Sequence, residues 1–283
     1  MSTGDSAPPT VPDREVRRLQ PEAWERCRTA APGLTRFFAE LLPHLVAQTF
    51  DSSGEVWVAG EVGEPEGILL LQPAERSATV FVRTPEAAEA LLAHRGPLVV
   101  FSEIPLGGRP YEPFAIYDSE LPRPNDPGYR FTHPVRLATP SDGPVLLDLL
   151  REGLGAVDER WFRPLPAPPE RGFVAEHDGQ IVGAAWVAVP GPVARLHSLV
   201  VRPRYRGLGV GRDLWAVRAR WAEAHGARHL RLEVAEGNGP SRAIAEAAGM
   251  RAIGRIFRTA WGEPGPFSSE GPRTGGRPSR SSP

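Results

Sequence analysis

The chain has 283 residues, enough for two domains of ordinary size. Its 33 cations, all arginine, against 34 acids leave a net charge of -1, so no global positive field exists to gather nucleic acid or an anionic membrane. Cys27 is the single cysteine, which excludes an intrachain disulfide and a cysteine-based metal cluster.

In chain order, residues 1–13 are polar and Pro-rich and are predicted to be disordered, as is the Gly/Pro/Ser/Arg tail 263–283. The opening residues lack the basic and apolar regions of a signal peptide, and no apolar run approaches the roughly 18 residues of a membrane span. These features predict a soluble, cytoplasmic chain with no membrane partner. Residues 14–125 read as a first α/β unit. Its Arg83-Thr-Pro-Glu-Ala-Ala-Glu begins a helix, with Thr84 as cap and Pro85 in the first turn. Pro and Gly punctuate residues 121–128, and the stretch 126–132 is taken as a linker.

Residues 133–262 form the second unit. A short strand at 134–137 leads into Thr139-Pro-Ser-Asp142, the start pattern of a helix whose apolar stripe is Leu146, Leu149, Leu150 and Leu154. Strands at 173–176 and 181–189 are joined through Asp178-Gly179, a strong hairpin signal. A strand at 195–201 runs through a Gly-rich turn into a helix over 209–225, stopped by Gly226. A strand at 229–234, a short helix at 241–248 and closing strand material at 252–261 complete the unit. The first half echoes it. Val16-Arg-Arg-Leu resembles Val135-Arg-Leu, and Val56-Trp-Val-Ala-Gly-Glu with Gly67-Ile-Leu-Leu-Leu resembles Gly172-Phe-Val-Ala-Glu with Gly183-Ala-Ala-Trp-Val, at nearly constant spacing. A degenerate internal duplication is the expectation.

Chemistry concentrates in Arg206-Gly-Leu-Gly-Val-Gly-Arg212. A turn of this kind between strand and helix gathers free backbone N–H groups at the positive end of a helix dipole, which suits a pyrophosphate. No Gly-Lys-Ser/Thr follows, so a P-loop is excluded, and the glycine spacing is wrong for a dinucleotide fingerprint. The pyrophosphate of coenzyme A remains. His44, His94, His133, His177, His225 and His229 show no ligand spacing with acids, so no metal is expected.

The string Val201-Arg-Pro203 followed by Arg206-x-x-Gly209-x-Gly211 resembles the signature of the GNAT superfamily of N-acetyltransferases. Residues 196–254 carry the resemblance, which extends more loosely back to Val135. It implies a mixed-sheet α/β fold of the acetyltransferase (GNAT-like) kind in two tandem lobes. It also implies acetyl-CoA as cosubstrate, bound by Leu199, Val200 and Val201 along the pantetheine arm. Arg206, Gly207, Leu208, Gly209, Val210, Gly211 and Arg212 would hold the pyrophosphate, and Asn238 matches its place in the motif. Ala245 stands where many members carry the Tyr that protonates the departing thiolate, a departure from the pattern.

An ammonium must lose a proton before it attacks a thioester. His197 and Glu233 are the candidate bases: an imidazole titrates in the useful range, and Glu233 matches the Glu of a Leu-Glu-Val strand that serves as base in one branch of the family. Glu176 is a third choice. The expectation is direct transfer to an amine, a small molecule or a peptide N-terminus, in a ternary complex. A strand splay after Val201 would present backbone N–H to the thioester oxygen. The alternative is a non-catalytic acyl-CoA-binding sensor. No nucleic-acid partner is expected, and the oligomeric state stays open.

Overall fold

The computed structural model describes residues 15–93, 95–121, 129–154 and 169–262. Both ends expected to be disordered, residues 122–128 leading into the linker, His94 and the Leu154 side chain lie outside the described residues.

The first half runs β1 (Val16–Leu19), α1 (Trp24–Cys27), α2 (Leu42–Asp51), β2 (Glu55–Glu61), β3 (Glu64–Gln72), β4 (Ser77–Val82), α3 (Pro85–Leu92), β5 (Leu98–Ser102) and β6 (Tyr111–Glu120). The second runs β7 (Val135–Leu137), α4 (Gly143–Leu154), β8 (Glu170–His177), β9 (Gln180–Ala188), β10 (Val193–Val201), α5 (Val210–Ala224), β11 (His229–Ala235), α6 (Gly239–Ala247) and β12 (Arg251–Trp261). Apart from α1 and α6, the two halves repeat one order of elements.

Local signals account for much of this. Asp178 and Gly179 take φ of 49° and 73°, the left-handed pair that a two-residue hairpin requires. At the start of α4, Thr139 and Asp142 form a reciprocal capping box, and Arg136 adds an ion pair to Asp142 at 2.7 Å. Thr84 caps α3 by accepting a hydrogen bond from the Ala87 N–H at 3.3 Å.

Sheet topology departs from simple duplication. One 12-stranded sheet runs in the order β1-β2-β3-β4-β5-β12-β6-β11-β10-β9-β8-β7. Among the described strands, β4–β5 and β10–β11 pair in parallel and the other neighbours are antiparallel. Each half therefore gives its last strand to the other: β6 pairs with β11, β12 pairs with β5, and β6 and β12 pair in the centre. Side chains follow the backbone. Ala115 and Tyr117 of β6 join the core beneath α5, while Val193 and Ile256 from the second half join the core of the first.

Within the second half, alternation divides the faces. Leu230, Leu232 and Val234 of β11 and Ala194 and Leu196 of β10 pack with Val210 and Leu214 of α5. On the other face, Leu146, Leu149 and Leu150 of α4 cover Val174, Ala184 and Trp186. Arg195, His197 and Glu233 alternate away from the α5 face.

Candidate active site

Strand β10 ends at Val201, passes a 3-10 turn at Pro203–Tyr205 and enters α5 through Gly207 and Gly209, whose φ angles are +80° and +94°. A Cβ would be penalised at both. No heavy atom lies within 4 Å of the place a Gly207 Cβ would occupy, so the backbone is open there. The third glycine serves a different purpose. A Cβ on Gly211 would lie 2.8 Å from Ile244 Cδ1, so its absence lets α6 close onto α5. Being first-turn residues, Val210 and Gly211 have N–H groups without intrahelical partners. Arg206 turns its Nε back to the Val201 carbonyl at 3.1 Å, Leu208 is exposed, and Arg212 is exposed.

A buried carboxylate braces this turn. Asp213, with no exposed surface, accepts from the Tyr129 hydroxyl at 2.7 Å and from the backbone N–H groups of Thr132 and His133 at 3.2 and 3.1 Å. It also contacts His133 Nδ1 at 2.8 Å. Burial, then the bond to Asp213, holds the Tyr129 hydroxyl well above the usual phenol range. Sequence reasoning missed Asp213. The available signal was an acid in the first helical turn, between Val210 and Leu214 on the apolar face.

Between β10 and β11 the sheet opens. Their parallel pairing covers only Val193↔His229 to Arg195↔Arg231, whereas β11 stays paired with β6 as far as Ala235↔Phe114. The splay therefore begins after Arg195, not after Val201 as expected, and residues 196–201 already line it. The cause is visible in β10: its register with β9 shifts between His197 and Val200, and Ser198 takes φ of +52°. A bulge of this kind bends the strand away from its partner. Leu199 and Val201 face α5, each within 4.0 Å of the position of a Gly211 Cβ, while Val200 packs under α4.

The two candidate bases have different surroundings. Glu233 is held by both Nε and Nη2 of Arg195, at 3.1 to 3.2 Å. Burial opposes the Arg195 charge, yet Glu233 outweighs it and raises the guanidinium above its usual range. His197 Nε2 lies 2.7 Å from Glu170 Oε1, and its Nδ1 lies 3.1 Å from Ser198 Oγ. Glu170 in turn accepts from Gln48 Nε2 of α2 at 3.2 Å. Burial alone would raise the Glu170 carboxyl, but His197, His44 and Arg195 together hold it below the ordinary carboxylate value. Burial pushes the His44 imidazole down. A helix of the first half thus completes a polar cluster built on strands of the second. A cavity of about 740 Å³ reaches His44 and is flanked by Pro169 and Arg171, the neighbours of Glu170.

The remaining assignments separate. Glu176, at the β8–β9 hairpin, pairs instead with Arg136 at 2.8 Å near the α4 start. Asn238 caps α6, accepting from the Ser241 N–H at 3.2 Å. Ala245 is buried in the core under α6. Arg218 of α5 is buried despite its charge. It donates to the carbonyls of Leu214, Trp186 and His197, the last beside the bulge, and burial pushes it down to about 9. Its place on the inner stripe of α5 decided this. Arg220, by contrast, is exposed. Among the described residues no group of three or more His, Cys, Asp or Glu is placed to hold a metal ion. No described helix is long and apolar enough to cross a membrane.

Comparison with known proteins gives the following. The family model described as the acetyltransferase (GNAT) family matches residues 146–250. A mycothiol acetyltransferase of Acidothermus cellulolyticus is 31% identical over 111 residues, which are 34% of this chain and 32% of that protein. Another, of Streptomyces bingchenggensis, is 27% identical over 198 residues, 64% of this chain and 62% of that protein. The chain thus spans about a third of the first of these relatives and less than two thirds of the second. Among solved structures, a tandem GNAT protein from the clavulanic acid biosynthesis pathway aligns over 88% of this chain and 98% of its own, with a TM-score of 0.56 at 16% identity. That likeness is one of fold and spans both halves.

Proposed function

We propose that this chain, whose residues 146–250 match the acetyltransferase (GNAT) family model, is an N-acetyltransferase using acetyl-CoA. The observation that carries the reading is one strand with two consequences. Strand β10 parts from β11 after Arg195, and its far end runs into an open, left-handed glycine turn at the head of a helix.

The chemistry fits those parts. Unpaired N–H groups at the α5 N-terminus and the open backbone at Gly207 suit a pyrophosphate. Arg206 and Arg212 add charge at the same place. The unpaired edge of β10 at Leu199, Val200 and Val201 would take the pantetheine arm, and its N–H groups would stabilise charge developing on the thioester oxygen. Asn238 shapes the facing helix start. Of the two bases we assign His197 the proton, because Glu233 already spends both oxygens on Arg195. The acceptor enters from the side of the cavity at His44. The curated relatives are named mycothiol acetyltransferases, which favours a small-molecule acceptor over a peptide N-terminus for this chain as well.

The buried Ala245 favours a second reading, a sensor that binds acyl-CoA without turnover. Loss of a positioned acid is tolerable, because a thiolate with a thiol pKa near roughly 8.5 leaves well and water can protonate it. Calorimetric titration of acetyl-CoA separates the cases. Wild type binds, and Gly207→Asn, which accepts the left-handed conformation but adds bulk, binds at least about tenfold more weakly. No binding by folded wild type defeats both readings. Binding without thiol release to any amine selects the sensor.

A further inference from the structure

From the Glu170–His197–Ser198 chain of contacts we infer that Ser198 is a catalytic residue, the relay that takes the acceptor's proton, and that Glu170 is a positioning residue for His197. This rests on the acetyltransferase reading above. The geometry is that of an activated hydroxyl. Ser198 Oγ lies 3.1 Å from His197 Nδ1, and His197 Nε2 lies 2.7 Å from Glu170 Oε1. Both His197 and Glu170 are about 15% exposed, so solvent competes little for these bonds. With the carboxylate on one side, the imidazole carries its hydrogen on Nε2 and leaves Nδ1 to accept from Ser198.

Backbone conformation supplies an independent observation. Ser198 is a non-glycine residue at φ +52°, placed by the bulge that opens the splay. Such conformations persist where the surroundings over-determine them, and they cluster at functional sites. Here the His197 carbonyl is gripped by the buried Arg218, which fixes the bulge from the α5 side. On the opposite side the first half contributes Gln48 and His44 around Glu170, and Arg195 with Glu233 closes the cluster. Five elements thus converge on the pair of His197 and Ser198: α2, β8, β10, β11 and α5.

The step balances as follows. One ammonium proton of the acceptor passes to Ser198 Oγ while the hydroxyl proton passes to His197 Nδ1, leaving an imidazolium whose Nε2–H faces Glu170. The freed nitrogen lone pair forms the C–N bond, the C–S bond breaks, and a second nitrogen proton goes to the departing thiolate. His197 then returns its proton to solvent through Ser198.

Two measurements on the full chain test this. Long-range ¹H–¹⁵N spectra without ligand read the His197 tautomer, and protonation on Nε2 with a bare Nδ1 is expected; the opposite tautomer overturns the relay. Kinetics then use acetyl-CoA with methylamine, a minimal amine that is an ammonium ion at neutral pH, followed by thiol release. Ser198→Gly takes the left-handed conformation without strain, so it folds at least as well as wild type. Its kcat falls by about 10² or more, with KM for acetyl-CoA unchanged. Glu170→Gln loses kcat in the same way. Rates in H₂O/D₂O mixtures curve for wild type, with two protons in flight, and become linear for Ser198→Gly. Wild-type kcat in Ser198→Gly, or an acetyl group trapped on Ser198 in the mass spectrum, overturns the proposal. Failure of wild type to bind acetyl-CoA defeats the acetyltransferase reading instead, and the tautomer still decides the geometry.

Discussion

His44 sits among Glu170, His197 and Arg195 with its imidazole pushed below the ordinary value of 6.5 by burial, while Glu170 lies below 4.5 because His197, His44 and Arg195 outweigh its own burial. In both cases the unfolded chain binds protons more readily than the folded one. The stability they contribute is therefore present at neutral pH and is lost as pH falls, first through 6.5 for His44 and then through 4.5 for Glu170. Thermal melts recorded at descending pH are expected to show both losses, and His44→Gln removes the upper one while leaving a reduced lower one, which rests mainly on His197. Arg195 and Glu233 pose a related question of charge. Arg195→Met strands a carboxylate that is 9% exposed, at a cost of about 3–5 kcal/mol in denaturant titrations. Adding Glu233→Gln recovers most of that, since the uncompensated charge and not the missing pair is the larger penalty. At this scale sequence reading named His197, Glu233 and the glycine turn, but not Glu170, Asp213 or the burial of Arg218. The reason is range. Glu170 and His197 are 27 positions apart, Asp213 and His133 are 80 apart, and the partner in each case lies on another strand or segment.

Elements whose cause is local were legible. An Asp-Gly pair turned β8 into β9, Thr139 and Asp142 started the second helix region, and Thr84 with Pro85 started α3. The bulge in β10 was not, because nothing in Leu-His-Ser-Leu-Val-Val marks a residue for positive φ. Ser198 is driven there by what holds its neighbours. Glycines show the same division. Gly207 and Gly209 are required by conformation and Gly211 by a neighbouring helix, although all three belong to one motif. Gly254 of β12 is a further case: a Cβ there would run into the ring of Phe37, which comes from the first half. Gly254→Ala should destabilise the protein by about 1–3 kcal/mol as overpacking. Phe37→Ala in the same chain should relieve part of that loss, a coupling that a double-mutant cycle in denaturant measures directly. Independent, additive effects of the two substitutions would show that the ring moves aside freely.

On the scale of the whole molecule the exchanged strands decide behaviour. Without β12 the β5 edge is bare, and without β6 the β11 edge is bare, each a row of unpaired backbone groups next to an apolar face. Residues 1–125 and 126–283 expressed apart are therefore expected to aggregate or stay unfolded. Produced together, they should assemble into one complex with the far-ultraviolet spectrum of the intact chain. A stable, monomeric second half on its own would show that β12 can return to its own sheet. The amino-acid sequence by itself determined the α/β class, the repeated order of elements and the glycine turn, because helix caps, hairpin turns and strand alternation depend on residues a few positions apart. Only the tertiary structure decided that the halves interlock, that the sheet parts at Arg195, and that α2 of the first half reaches the His197 cluster. Those outcomes depend on which strand edges meet, and edge pairing is backbone hydrogen bonding whose partner no side-chain pattern specifies.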